Sequence, residues 1–348
     1  MGFALNQTIE NYEVLGIIDK PRAGVTYKVR NLTTGVLEAL RTLPGATAGD
    51  PEATERLLRE IRVHARLLHP NIVTFHHAQE VDGNLLMTTE FVEGHSLAEL
   101  CAHGPLPPAE AIKSITALLS GLEQAHKLGI VHRGITAEHV VVTPEGVTKL
   151  GGFGLAKPAS DANLTKVGAV MGDPHYISPE QIMGLNALDG RSDLYSVGVL
   201  LYQTLTGKVP FEGCNDFDIL AAQVSSEPRA PRALNPAIAP EFEAIILKAL
   251  KKDPNARFAT AGDFRAALTA NAAELAKPPA PFAETPAPSV VAAPTVVSAP
   301  DVTVTQPQAV APDVLLQYGA QKVPLAPLVF GFLVLAVALV ILTLAAMH

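Results

Sequence analysis

The chain has 348 residues, enough for one large domain or two ordinary ones, with 17% charged and 48% hydrophobic residues. The formal net charge is −8 and there is no basic run. That excludes a general nucleic-acid binder, which needs clustered Lys and Arg against phosphates. Two cysteines, Cys101 and Cys214, are too few for a disulfide framework and point to a reducing compartment.

The start, "MGFALNQTIENYEVLG", has no basic stretch leading into an apolar core, so no secretory signal is expected. Met1-Gly2 hints at myristoylation, but Asn6 sits where that motif wants Ser or Thr. "YEVLGII", "GVTYKVRNL" and "VLEALRTL" are short, alternating or β-branched, and joined by turn residues such as Thr34-Gly35, which predicts three strands. "PEATERLLREIRVHARLL" has helix periodicity, with Leu57, Leu58, Ile61 and Leu68 expected on one side. Asp50 is a plausible N-cap for it, ahead of Pro51. Two more strands, "IVTFHHAQEV" and "NLLMTTEFV", flank the turn Asp82-Gly83-Asn84. Helices are then expected over 97–102, 108–128, 179–183, 193–207, 216–224, 240–250 and 262–273. A β-rich part precedes a helical part, and no internal repeat is present.

Residues 276–324 are dominated by Pro, Ala, Val and Thr, as in "KPPAPFAETPAPSVVAAPTVVSAP", and read as a semi-extended, disordered linker. The segment also offers phosphorylation sites or a polyproline ligand, although an inert spacer is the simpler reading. "LAPLVFGFLVLAVALVILTLAAM", 325–347, carries no charge. As a helix it spans roughly 33 Å, against ~30 Å of bilayer hydrocarbon. It is expected to be a single transmembrane helix anchoring the protein to the cell membrane by its tail, with residues 1–275 on the cytoplasmic side.

The order of motifs resembles the eukaryotic-type serine/threonine protein kinases of bacteria, over about 12–275. "REIRVHARLLHPNIV" resembles the helix C segment, with Glu60 at the ion-pair position. "TEFVEGHSLAEL" resembles the hinge, with Thr89 as gatekeeper. "GIVHRGITAEHVVV" resembles the catalytic loop and "KLGGFGLAK" the metal-binding loop. "GDPHYISPEQ", "SDLYSVGVLLYQTLTGKVPF" and "DPNARF" resemble the end of the activation segment, the buried helix F and the late Arg motif. The resemblance implies an α+β, bilobal protein-kinase fold, with a small β-rich N-lobe and a larger helical C-lobe, followed by the transmembrane helix.

The chemistry that the family performs does not carry over residue by residue. Phosphoryl transfer in this fold uses a glycine-rich cover, a strand Lys, a catalytic Asp, and an Asn and an Asp that hold magnesium. Here the cover reads "DKPRAG", where only Gly24 remains and Asp19 and Pro21 take the other places. Arg41 replaces the Lys, and its planar fork is no substitute for a compact ammonium. Gly134 replaces the catalytic Asp, and Thr136 the Lys two residues on. His139 replaces the metal-binding Asn and Gly152 the metal-binding Asp. Asp173 replaces the Thr of the activation segment. Losing one electrostatic stabiliser costs about 3 kcal/mol of barrier, and here the set is lost together. The expectation is a pseudokinase without metal, acting as a scaffold or allosteric partner of another kinase or a substrate.

Two alternatives stand beside it. Glu138 or Asp173 could supply a displaced carboxylate and preserve catalysis. The adenine pocket, with Gly24, Ala39, Arg41, Glu60, Thr89, Glu90 and Val92 as candidate lining, could bind ATP without magnesium as a nucleotide sensor. The residues that match the family are those that hold the frame. His132 and Phe153 resemble a stacked spine, Glu180 and Arg257 a buried ion pair, and Asp193 the helix F acceptor of loop amides. Arg133 resembles the partner of a phosphorylated loop residue such as Thr165, or else it bonds loop carbonyls. His64, His69, His76 and His77 tempt one toward a metal site, but read as ordinary helix, turn and strand positions.

Overall fold

The computed structural model describes residues 3–19, 25–43, 58, 61–153, 157–158, 173–185 and 188–271. The linker and the expected transmembrane segment, together with Gly24, Glu60 and Thr165, lie outside the described residues. Among the described residues no helix is long and apolar enough to cross a membrane.

The first part is a six-stranded antiparallel sheet of order β1-β2-β3-β4-β6-β5. Its strands are β1 (Thr8–Ile9), β2 (Tyr12–Asp19), β3 (Val25–Asn31), β4 (Leu37–Leu43), β5 (Phe75–Val81) and β6 (Asn84–Glu90). The β5–β6 hairpin closes through Asp82 and Gly83, both at positive φ, as a two-residue turn of primed type requires. Alternation turns Tyr12, Val14, Tyr27, Val29, Leu40 and Leu86 into one small core.

Between β4 and β5 the helix is seen over 61–64, with a turn at 65–66. Here Leu58 and Leu68 depart from expectation: they are 36% and 79% exposed, and Val63, His64 and Leu67 are the buried residues. Leu68 lies past the last helical turn, where a period of 3.6 no longer governs which side chains face inward. The following strand also starts later than expected. Ile72 does not join β5 but bridges Leu150 in parallel.

The second part is mainly helical: α1 (Leu97–Cys101), α2 (Pro108–Lys127), α3 (Pro179–Ile182), α4 (Gly190–Thr206), α5 (Asp216–Ser225), α6 (Pro240–Ala249) and α7 (Ala261–Ala270). On α2 the buried stripe Ala111, Ile112, Ile115, Leu118, Leu119, Leu122, Ala125 has the i, i+3/i+4 spacing of a core-facing helix. Helix α4 is buried nearly all round, from Ser192 to Thr206. It is capped by the Asp189 side chain at one end and by Gly207, at φ +72°, at the other. Among short strands β7 (His95–Ser96), β8 (Ile130–Val131), β9 (Val140–Val142), β10 (Thr148–Leu150) and β11 (Lys157–Pro158), the β9–β10 pair matters most. Its register sets Val140 opposite Leu150, and Gly151 N–H donates to the His139 carbonyl at 2.8 Å. Residues 139 and 151–152 are thereby fixed side by side.

Candidate functional site

The loop after β8 is held from below by one carboxylate. Asp193, buried on α4, accepts from His132 N–H at 2.9 Å, Arg133 N–H at 2.8 Å and His126 Nε2 at 2.8 Å. Burial alone would raise its pKa, but the His126 hydrogen bond and nearby imidazoles override this and hold it below the usual carboxylate range. Arg133 sits at φ +63°, a left-handed conformation rare outside Gly, Asn and Asp. Its carbonyl accepts from Gln181 Nε2 at 2.9 Å. Such backbone strain persists where the surroundings over-determine the loop.

Above that anchor, the replaced residues bond to one another. Gly134 N–H donates to His132 Nδ1 at 3.3 Å, and Gly134 C=O lies 2.7 Å from His139 Nδ1. A carbonyl only accepts, so His139 carries its proton on Nδ1. Thr136 Oγ1 is 3.2 Å from the same nitrogen. By the same logic His132 carries its proton on Nε2, which donates to the Gly151 carbonyl at 2.8 Å. Both rings are kept neutral: burial pushes the His132 pKa down to about 4, and burial lowers that of His139 as well. The charge of Arg41 lowers His139 further, while Glu138 and Asp19 act the other way. Arg41 and Asp19 therefore lie within electrostatic reach of the imidazole.

Gly152 completes the arrangement. Its φ is +76°, and a Cβ built there would lie 2.5 Å from both Cγ and Cδ2 of His139 and 2.8 Å from Nδ1. The imidazole thus fills the space that any side chain at 152 would enter. Phe153, next in sequence, is buried between two rings, with centroids 4.5 Å from His132 and 5.2 Å from His64. His64 Nε2 donates to the Val73 carbonyl at 2.8 Å, and burial lowers its pKa.

On the sheet side, Ala39 pairs with Thr89 and Arg41 with Met87 across β4 and β6. The Glu90 carboxylate binds Lys149 Nζ at 2.8 Å and Thr74 N–H at 3.2 Å, and Val92 is half-buried just beyond the strand. Of the two candidate replacement carboxylates, Glu138 is exposed. Asp173 is engaged locally, accepting from His175 N–H at 2.9 Å and lying 2.8 Å from its Nδ1. Among the described residues no group of three or more His, Cys, Asp or Glu side chains is placed to hold a metal. Three of the four histidines named from the sequence have separate attachments: His64 to Val73, His69 to Asn71 and Ser120, and His76 to Glu38.

Between α3 and the turn that precedes α7, Glu180 and Arg257 meet through two bonds of 2.7 Å. Ser192 Oγ also donates to Glu180, and the guanidinium further binds the carbonyls of Arg191, Lys251 and Lys252. Burial would raise the Glu180 pKa, but Arg257 holds it below the ordinary value. Sequence reasoning missed His126, Gln181 and His64. Only an apolar neighbourhood with a polar intruder marked them, and their partners lie far along the chain.

A protein kinase domain model matches residues 12–268. The chain is 36% identical over 266 residues to the probable serine/threonine-protein kinase SCO3848 of Streptomyces coelicolor, covering 74% of this chain and 39% of that one. It is 34% identical over 256 residues to serine/threonine-protein kinase PrkC of Bacillus subtilis, covering 73% and 39%. With serine/threonine-protein kinase PknL of Mycobacterium tuberculosis it shares 35% over 242 residues, covering 69% and 60%. The chain thus spans less than two thirds of the length of these relatives. The crystal structure of the Mycobacterium tuberculosis PknI kinase domain superposes with a TM-score of 0.61 at 27% identity, covering 78% of this chain and 100% of that domain. Fold, site frame and relatives agree, and the chain belongs to the protein kinase domain family.

Proposed function

We propose that this chain is a pseudokinase, a kinase-shaped binding module that engages a protein partner, another kinase or a substrate, without phosphotransfer. We also propose that the uncharged segment 325–347 anchors it in the cell membrane, with the kinase-like domain in the cytoplasm and the linker of about fifty residues raising its effective concentration near membrane-bound partners. One observation carries the first reading. The His139 imidazole, bonded to the Gly134 carbonyl, fills the space beside Gly152 where the fold's metal-binding carboxylate would begin. The retained groups, Asp193, Glu180 and Arg257, hold the loops in place. That is what a binding surface requires.

The relatives are kinases by name, which favours a second reading in which a displaced carboxylate sustains catalysis. One experiment separates the two. The purified full chain is heated with ATP or ADP, each with and without magnesium, and tested in parallel for phosphate transfer to itself and to a generic acceptor protein. Ligand binding to the native state must raise the midpoint. The pseudokinase reading expects no magnesium-dependent shift and no transfer. A magnesium-dependent shift with transfer would bring the active kinase forward, and a shift indifferent to magnesium would identify a nucleotide sensor.

A further inference from the structure

The fold family implies a divalent cation held by the side chains at 139 and 152, and the residues present do not fit one. We propose that His139 and Gly152 form an interlocked pair that shuts the cation position, so that neither can revert alone to the family's residue and restore it. The inference rests on the pseudokinase reading above and gives its physical cause.

Three features make the lock. The ring cannot easily swing aside, because Nδ1 is tied to the Gly134 carbonyl and lies near Thr136 Oγ1, and the His139 backbone is pinned by Gly151 N–H. A Cβ at 152 would overlap ring carbons at 2.5 Å, closer than real Cβ contacts come. The backbone itself does not forbid the family's residue, since φ +76° is a left-handed conformation that Asp and Asn tolerate better than other side chains. The obstacle to a carboxylate at 152 is therefore the imidazole. Conversely, replacing His139 alone opens space but supplies no carboxylate. Nδ1–H is already donating to the Gly134 carbonyl, and the lone pair left on Nε2 is a poor substitute for the oxygen ligands that magnesium takes.

The test uses the full chain as wild type, Gly152→Asp, His139→Asn and the double variant, with Mn2+ and ATP as probe. Thermal midpoints and the electron paramagnetic resonance signal of free Mn2+ are the readouts. The expected result is that Gly152→Asp unfolds several degrees lower and takes up no Mn2+. His139→Asn takes up none either. The double variant regains the lost stability and shows a Mn2+-dependent rise with ATP. Uptake by Gly152→Asp alone, or none by a cooperatively folding double variant, overturns the lock. Uptake by the wild type instead removes the pseudokinase reading on which the lock rests.

If the Asp variants fail to fold, a metal-free cycle decides. Gly152→Ala should lower the midpoint much more with His139 present than in a His139→Ala background. An equal loss in both backgrounds overturns the proposal.

Discussion

Within the helical part, Glu180 and Arg257 meet as full charges, nearly inaccessible to solvent, each with further hydrogen bonds to Ser192 or to backbone carbonyls. In the cleft, His64, His132 and His139 are held neutral by burial, and each donates one N–H to a backbone carbonyl. Both regions bury polar groups and both satisfy them, which is what a buried polar group demands. They differ in what would upset them. The anchor depends on charges already present, so it is vulnerable to losing one. The cleft depends on three imidazoles staying neutral, so it is vulnerable to their gaining a proton.

The largest expected effect comes from breaking the anchor. Arg257→Met leaves the Glu180 carboxylate buried without its cation, which costs roughly 3–5 kcal/mol. Five N–H bonds of the guanidinium disappear as well. Chemical denaturation of this variant should show a lower midpoint, with a single cooperative transition if the domain still folds. Replacing both partners by apolar residues of similar size should recover part of the loss, since no unpaired charge remains. A single variant within about 0.5 kcal/mol of wild type would mean that the pair is incidental, and the contrast between anchor and cleft would collapse.

Where sequence reasoning succeeded, and where it did not, follows the same division. The anchor was legible because each of its members stands in a local motif: Glu180 after Ser178-Pro179, Asp193 at the start of a long apolar helix, Arg257 after Asp253-Pro254. Helix α2 was placed to within a residue because its apolar stripe and initial prolines are local signals. The cleft was legible only as missing residues. That Gly134, Thr136, His139 and Gly152 stand where the family carries charged or amide side chains is what the resemblance of the motifs implies. That His139 then lies on Gly152 and grips Gly134 depends on the register of β9 against β10, which no window of sequence contains. His64 read as an ordinary helix position, because the Phe153 ring it packs against arrives through the fold.

The next effect probes the cleft through added charge. With its folded pKa pushed to about 4 from the ordinary 6.5, His132 refuses a proton that the unfolded chain accepts. Well above pH 6.5 both states are neutral and nothing depends on pH. As pH falls below that value the unfolded chain binds the proton first, so stability is lost down to about pH 4. For His132 the loss between about pH 8 and pH 5 is on the order of 2 kcal/mol. His64 and His139, also shifted down by burial, add in the same direction. Asp193 and Glu180 enter only at lower pH, because their depressed pKa values place their loss below the ordinary carboxylate range. Urea midpoints measured across this window should fall with acid, and His64→Leu should make the fall shallower. A profile that is flat from pH 8 to pH 5 would show that the rings are not held neutral.

The smallest effect is expected at the part-exposed pair Asp173–His175, where neither rule applies. Asp173 and His175 are paired at 2.8 Å, but their side chains are 43% and 33% exposed. Water screens such a pair, and its worth is below about 1 kcal/mol. Asp173→Asn should therefore leave the denaturation midpoint nearly unchanged at neutral pH. The same variant bears on function more sharply than on stability. If Asp173 were a displaced catalytic carboxylate, the substitution would abolish whatever phosphate transfer the wild type performs while leaving the fold intact. If the residue only orients His175 through its N–H and ring, it should alter neither transfer nor unfolding. Any effect would then be confined to the affinity of a partner that docks at the partly exposed segment 173–175. Stability that stays constant while transfer disappears would favour the displaced-carboxylate reading over the pseudokinase one.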